Sequence, residues 1–291
     1  MISIGLAGWG DHDQLYAPVS KAGSKLRQYA KHFPLVEVDS TFYAIQSKER
    51  FSKWLADTPE SLHFVVKAYQ GMTGHQRGQA VPASETNEMY AAFRQMLEPV
   101  IESGRLTAAL FQYPPWFDCT LGNVRILRET KARMNGIPCA LEFRHQSWFS
   151  QEYKEKTLDF MRQEQWMHSV CDEPQAATGS IPIVLVATDS QSTIVRFHGR
   201  NVSGWNQASA PNWREVRYLY CYSEEELQDW ANKLRLLEQQ SEHVYVIFNN
   251  NSGGDAADNA KRMMEILGLT RPNGESPNEP PPPIIEQLDL F

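Results

Sequence analysis

The sequence predicts an α/β fold of the TIM type: one closed (β/α)8 barrel over residues 1–268, followed by a Pro-rich tail over 269–291. Three observations predict it. Short apolar runs of strand length alternate with amphipathic runs of helix length, the pattern of βα units around a parallel sheet. The strand-like runs number eight, which lets the sheet close and leave no edge. The 291 residues are 42% hydrophobic and include eight Trp and thirteen Phe, enough apolar material for one core of that size.

Strands are expected at Ile2–Ala7, Val36–Asp39, Phe64–Lys67, Ala108–Phe111, Cys139–Glu142, His168–Cys171, Ile194–Phe197 and Val244–Phe248. Helices are expected near Ser24–His32, Ser47–Asp57, Ser84–Ser103, Thr120–Met134, Ser150–Glu164, Ser223–Gln240 and Asp255–Leu267. Ser47, Ser84 and Ser150 stand where each can accept an orphan backbone N–H, and Ser223 with Glu226 fits a capping box. The sixth crossover differs. Residues 173–192 carry no convincing helix, so this unit is expected to be irregular. Ile183–Ala187 is strand-like but is not counted, because eight strands close the barrel.

The net charge of −7 and pI of about 5.7 give no support to nucleic-acid binding through overall charge, leaving only a local basic cleft for it. Cys119, Cys139, Cys171 and Cys221 form no CxxC pair, so neither a zinc ribbon nor a disulfide framework is expected. The opening MISIGLAGWG has no basic region or long apolar stretch, and no run of eighteen apolar residues occurs. A cytoplasmic protein is expected, with no membrane partner. The tail holds six of the seventeen prolines, including Pro280–Pro283, and sets Arg271 against Glu275, Glu279, Glu286 and Asp289. It reads as an extended, disordered, solvated linker.

The carboxyl ends of barrel strands open on one shared cleft, where chemistry sits. Trp9 follows the first strand, Glu37 and Asp39 end the second, and Lys67 ends the third. Gln112 ends the fourth, Glu142 with Arg144 and His145 the fifth, and Asp172 the sixth. Arg196 and His198 come from the seventh, Asn249 and Asn250 from the eighth. Any one of these can be a structural bridge. Six buried ionisable groups (Glu37, Lys67, Glu142, Asp172, Arg196 and His198) would each cost several kcal/mol unless fully paired, so the set reads as a site.

Glu37, Lys67, Glu142, Asp172 and His198 are therefore the candidate catalytic groups. Trp9, Asp39, Tyr43, Gln112, Arg144, His145, Arg196, Asn249 and Asn250 are the candidate substrate contacts. Three chemistries fit. In metal-assisted hydrolysis, Glu142, Asp172 and His198, joined by Glu37, His145 and His75, would hold Mn²⁺, Mg²⁺ or Zn²⁺. His12, His32, His63 and His243 read as peripheral, which leaves too few histidines for a three-zinc centre. In metal-free acid–base chemistry, Arg144, Arg196 and Lys67 would hold an anion while Glu37 or Glu142 acts as base and His198 as acid. Cations beside carboxylates suit this at least as well, because they oppose a metal. The third is binding without catalysis, with Trp9, Phe42, Tyr43, Tyr113, Trp116 and Trp148 as stacking walls for a base or sugar. The run Asn249-Asn250-Asn251-Ser252-Gly253-Gly254 before the last helix reads as a phosphate cradle.

The segments GLAGWG, FPLVEVDSTFYAIQS, HFVVKA, LFQYPPWF, ALEFRHQSWF, VRFHGRN and VYVIFNNNSGG occur in this order and resemble the successive signatures of the YecE-like family, domain-of-unknown-function family 72. The resemblance implies a TIM-type barrel and no particular activity. This chain has Gly5-Leu6-Ala7-Gly8-Trp9 where many relatives read Gly-Thr-Ser-Gly-Trp, and Asp39 where Asn is common. The last five residues, Gln287-Leu288-Asp289-Leu290-Phe291, resemble the pentapeptide that binds the bacterial DNA sliding clamp. Gln287 would hydrogen-bond at the rim of a groove filled by Leu288, Leu290 and Phe291. The resemblance implies a clamp partner and a nucleic-acid substrate, hence a clamp-tethered phosphoester hydrolase of the nuclease kind. An isomerase or lyase on a phosphorylated or carboxylated metabolite, and a non-catalytic adaptor, are the alternatives.

Overall fold

The computed structural model describes residues 1–16, 25–76, 82–176, 180–205 and 216–272. The pentapeptide Gln287–Phe291 lies outside them. The strands β1 (Ile2–Ala7), β2 (Leu35–Val38), β3 (His63–Lys67), β4 (Leu106–Gln112), β5 (Cys139–Glu142), β6 (Trp166–Asp172), β7 (Ser192–Phe197) and β8 (His243–Phe248) pair in sequence order, all parallel. β8 pairs β1 from Ile2↔Val244 to Leu6↔Phe248 and closes the barrel. All eight stand where the apolar runs place them, with ends moved by a residue or two.

The helices are α1 (Lys25–Tyr29), α2 (Lys48–Ala56), α3 (Ala83–Glu102), α4 (Leu121–Met134), α5 (Lys154–Gln163), the short α6 (Val202–Trp205), α7 (Glu224–Glu238) and α8 (Asp255–Leu267). Ser47 and Thr120 cap α2 and α4 by accepting from the Arg50 and Asn123 N–H groups, and the Ser223–Glu226 capping box opens α7. Two expected caps are corrected. α3 starts after Pro82, which leaves Ser84 inside the first turn. Residues Gln146–Phe149 form a 3-10 turn, so α5 starts late, and Ser150 contributes its carbonyl to the Tyr153 and Lys154 N–H groups instead of its hydroxyl.

The sixth crossover holds neither helix nor strand among its described residues, and Ile183–Ala187 joins no sheet. The chain is tied to β6 by polar bonds in place of a helix. The Thr188 hydroxyl donates to the Trp166 carbonyl at 2.6 Å, and His168 Nδ1 lies 2.9 Å from the Val186 carbonyl.

Strand alternation sorts the side chains into two layers. The outer set packs under the helices. The inner set, Ala7, Leu35, Val65, Ala108, Leu110, Ala140, Met167, Ile194 and Ile247, forms a separate apolar floor inside the barrel. One seam is unusual. A Cβ on Gly5 would stand 1.9 Å from the Leu35 carbonyl oxygen, so β1 and β2 approach this closely only with glycine there. The buried Tyr29 hydroxyl fills the gap in the ladder, accepting from Leu6 N–H at 2.8 Å and donating to the Leu35 carbonyl at 2.6 Å. No helix among the described residues is long and apolar enough to cross a membrane.

Candidate functional site

The inner floor ends where charge begins. Continuing the inward alternation of each strand toward its carboxyl end brings Glu37 of β2, Glu142 and Arg144 after β5, Ser169 and Cys171 of β6, and Arg196 and His198 of β7 to one place. Arg196 is the hub. Its Nε and Nη2 donate to the two Glu37 oxygens at 2.9 and 2.7 Å, while Nη1 donates to Glu142 Oε2 at 2.8 Å. Gln112 Oε1 accepts from the same Nη1 at 3.4 Å, and the Ser169 hydroxyl donates to Glu142 Oε2 at 3.2 Å. Glu37, Glu142 and Arg196 are all 0% exposed.

The second guanidinium extends this into a chain of alternating charge. Arg144 Nη2 stands 2.8 Å from Glu142 Oε1 and donates to His198 Nε2 at 2.9 Å, and Nη1 pairs with Glu173. Both Arg144 and Arg217 lie over the Trp205 ring, at 5.5 and 3.9 Å from its centroid. His198 Nε2 thus stands between the Arg144 guanidinium and Glu142 Oε1, the latter 3.4 Å away, while Nδ1 lies 3.1 Å from Asn249 Nδ2.

Electrostatics give these groups different states. Burial pushes the Glu142 carboxyl up, but Arg196, Arg144 and His198 together hold it well below the usual carboxylate range. Burial lifts Glu37 above its ordinary value in spite of Arg196 and Lys67. His198 is driven well below the usual imidazole value by burial and then by Arg144 and Arg196, against the pull of Glu142. It is neutral. Glu173 is raised by burial to about 7 even with Arg144 against it, its Oε1 also accepting from Ile181 N–H at 2.7 Å. At the mouth, Lys67 and the part-exposed Asp39 form an ion pair at 2.8 Å.

Asp172, expected as a catalytic group and metal ligand, is not in this set. It pairs in register with Phe197, which packs in the outer layer against Trp230. Arg200 Nε donates to its two oxygens at 3.1 and 2.9 Å, and Arg200 Nη1 continues to Glu226 at 2.8 Å. Alternation puts the neighbouring Cys171 inside instead. Asn250 likewise faces outward, donating to Asn259 at 2.9 Å and to the Tyr220 carbonyl at 2.8 Å, while Asn249 faces His198. His145 caps the 3-10 turn through Ser147 and lines a separate cavity of about 610 Å³ with Gln175, Ser180 and Pro182. Trp9 stacks edge-on against Trp54 at 5.1 Å, and Tyr43 is an exposed rim residue. His12, expected to be peripheral, is fully buried, and burial lowers its pKa.

Among the described residues, the donors close enough to share an ion are those of Glu142, Cys171 and His198, all within 4.8 Å of one another. This set fits Mn²⁺ or Mg²⁺ poorly. Those ions take oxygen ligands, and Arg144 Nη2 already sits against both Glu142 Oε1 and His198 Nε2. The Cys171 thiol, raised well above its ordinary value by burial and Glu142, is protonated. Zn²⁺ would have to displace a guanidinium and a proton together. The expected phosphate cradle is also altered, since Asp255 and Asp258 bring negative charge to the first turn of α8.

Residues that the strand-end reading missed are Cys171, Glu173, Arg217 and Trp205. Ser169, Cys171 and Glu173 follow the same every-second-residue spacing as Glu142 and Arg144, a signal present in the sequence.

Comparison with known proteins agrees with the barrel. The chain is 54% identical over 292 residues to the UPF0759 protein YunF of Bacillus subtilis (strain 168), spanning 100% of both. The solved DUF72 family protein EF0366 from Enterococcus faecalis V583 superposes with a TM-score of 0.87 at 38% identity, covering 96% of this chain and 99% of that one. TM1631 from Thermotoga maritima MSB8, another DUF72 family protein, gives a TM-score of 0.78 at 31% identity, over 92% and 99%. The pattern described as "Protein of unknown function DUF72" matches residues 3–283, and the chain belongs to the DUF72 family.

Proposed function

We propose that the barrel mouth is a metal-free acid–base site for a small anionic molecule, phosphorylated or carboxylated, on which it performs an isomerase- or lyase-type proton transfer. The observation that carries this reading is Arg144 Nη2 held against both Glu142 Oε1 and His198 Nε2 in a buried set. Glu142 fixes the guanidinium, the guanidinium holds the His198 ring in place, and a neutral imidazole beside a cation can exchange a proton with a bound anion. Glu37 and Glu142 act as positioning residues, their charge committed to Arg196 and Arg144. Lys67 at the rim meets the incoming anion. Glu173, with its pKa near 7, is a second proton carrier.

Burial favours a small substrate. His198, Glu142 and Arg196 are 0% exposed, so contact with them requires the mouth to open, a smaller movement for a small anion than for a phosphodiester inside a duplex. The test is thermal stabilisation by phosphorylated and carboxylated metabolites, with and without chelator. Stabilisation that survives the chelator and is lost in His198→Asn supports the reading. Stabilisation by nucleic acid alone, or one that requires a divalent ion, overturns it.

A second reading rests on the tail. Gln287-Leu288-Asp289-Leu290-Phe291 suits a sliding-clamp groove. Tethering there would place the barrel at DNA in the cytoplasm by effective concentration, without intrinsic affinity for nucleic acid. Under this reading the anion is a phosphoester and the reaction hydrolysis. Capture by immobilised clamp should be lost when residues 287–291 are removed; unchanged capture refutes it. A binding-only adaptor is the outcome if His198→Asn leaves every cellular phenotype of the gene intact.

A further inference from the structure

The mouth carries a second feature beside the anion site. After β3 the chain forms a 3-10 turn over Gln70–Met72 and reverses at Gly74, whose φ of +71° favours glycine. The reversal returns His75 N–H to the Gln70 carbonyl at 3.3 Å. It also presents the Gly74 carbonyl to Trp116 Nε1 at 3.3 Å, tying the loop after β4 to the loop after β3. His75 is thereby held edge-on to two rings, Phe42 at 4.9 Å and Trp116 at 6.0 Å.

The other neighbours of His75 set its state. The Thr73 hydroxyl lies 2.8 Å from His75 Nδ1, which leaves Nε2 as the ring nitrogen on the far side from Thr73. Burial, then Lys67 and Arg144, push the ring down to about 4, so it is neutral at neutral pH. The two cations that act on His75 are those of the anion site. Lys67 Nζ itself lies 4.7 Å over the Phe42 ring. Beside them, Trp116 and Tyr43 are 44% and 53% exposed, large aromatic surfaces at the barrel mouth.

We infer that His75, Trp116 and Tyr43 form a ring-binding subsite adjoining Lys67, so that the substrate is an anion carrying a ring with a hydrogen-bonding group on its edge. This rests on the anion-site reading above. The ring face stacks on Trp116, its polar edge meets His75 Nε2, and its charged group reaches toward Lys67 and Arg144. A sugar and a nucleobase share this chemistry.

The test is titration calorimetry of the full chain with glycerol 3-phosphate, ribose 5-phosphate and adenosine monophosphate, and with free ribose and adenosine. At least one ring phosphate should bind roughly tenfold tighter than glycerol 3-phosphate, the lower range for one stacked ring. Trp116→Ala should erase that preference while leaving glycerol 3-phosphate unchanged. His75→Phe, which keeps a ring but loses both ring nitrogens, should reduce it. Preference for the nucleotide alone identifies a base; equal gain from ribose 5-phosphate identifies a sugar. Equal binding of all three phosphates, or an equal loss of all three in Trp116→Ala, overturns the subsite and spares the anion site. If no phosphate binds while adenosine or ribose does, the phosphorylated form of the anion-site reading falls and the ring subsite stands. Silence from all five overturns the subsite and leaves the anion site to a carboxylate alone.

Discussion

Arg196 bridges two fully buried carboxylates, Glu37 and Glu142. Its three contacts with Glu37 and Glu142 are wholly buried, and a buried pair that loses one partner leaves an uncompensated charge. Arg196→Met is expected to cost about 3–5 kcal/mol in urea denaturation, with part recovered in the double variant Arg196→Met/Glu37→Gln, because the two sites are coupled. Arg196→Lys should rescue little, since an ammonium cannot reproduce the fork that meets both carboxylates. Glu173 makes a different prediction. Its folded value is raised from 4.5 to about 7, so the folded chain keeps a proton that the unfolded chain releases between those values. The stability it contributes is complete below about pH 4.5 and lost as pH climbs through about 7. Glu173→Gln should flatten that stretch of the curve of melting temperature against pH. An unchanged slope would remove Glu173 from the acid–base account.

At the scale of elements, the eight strands were legible because each is an apolar run bounded by turn residues. Which face each residue takes was harder to read. Parallel barrel strands are covered on both sides, so the apolar run has no visible phase. Asp172 and Asn250 accordingly looked like cleft residues and point outward, while Cys171 and Glu173 went unnoticed and point in. The phase was available from the charged pairs: Glu142 with Arg144, and Arg196 with His198, each two apart. Capping chemistry located α2 and α7 but failed at α3, which starts after Pro82, and at α5, where a 3-10 turn intervenes. The β1–β2 seam was not legible at all, since nothing local marks Tyr29 as a surrogate ladder rung. Tyr29→Phe should cost about 1–3 kcal/mol by stranding the Leu6 N–H and the Leu35 carbonyl. Gly5→Ala should be worse, because its Cβ would meet backbone rather than a side chain that can yield. Chemical denaturation of both variants checks this ordering.

For the whole molecule, the barrel and the tail are proposed to be separate units, with the boundary near residue 268. The family pattern runs on to residue 283, so the boundary itself is open to experiment. Removing residues 273–291 should leave the melting temperature unchanged if the barrel is self-sufficient. A clear drop would show that the tail contributes to the fold.

The charged layer also sets an order of assembly. Glu37 finds Arg196 at a distance of 159 residues along the chain, and loop closure on that scale comes late. A nascent chain that has emerged only through β5 holds Glu37 and Glu142 without the cation that neutralises both. Water must therefore remain inside the unfinished barrel until β7 arrives. The guanidinium that organises the site is then also the component that dries the interior, and a ribosome-stalled half-barrel of this sequence should remain protease-sensitive until Arg196 has been delivered.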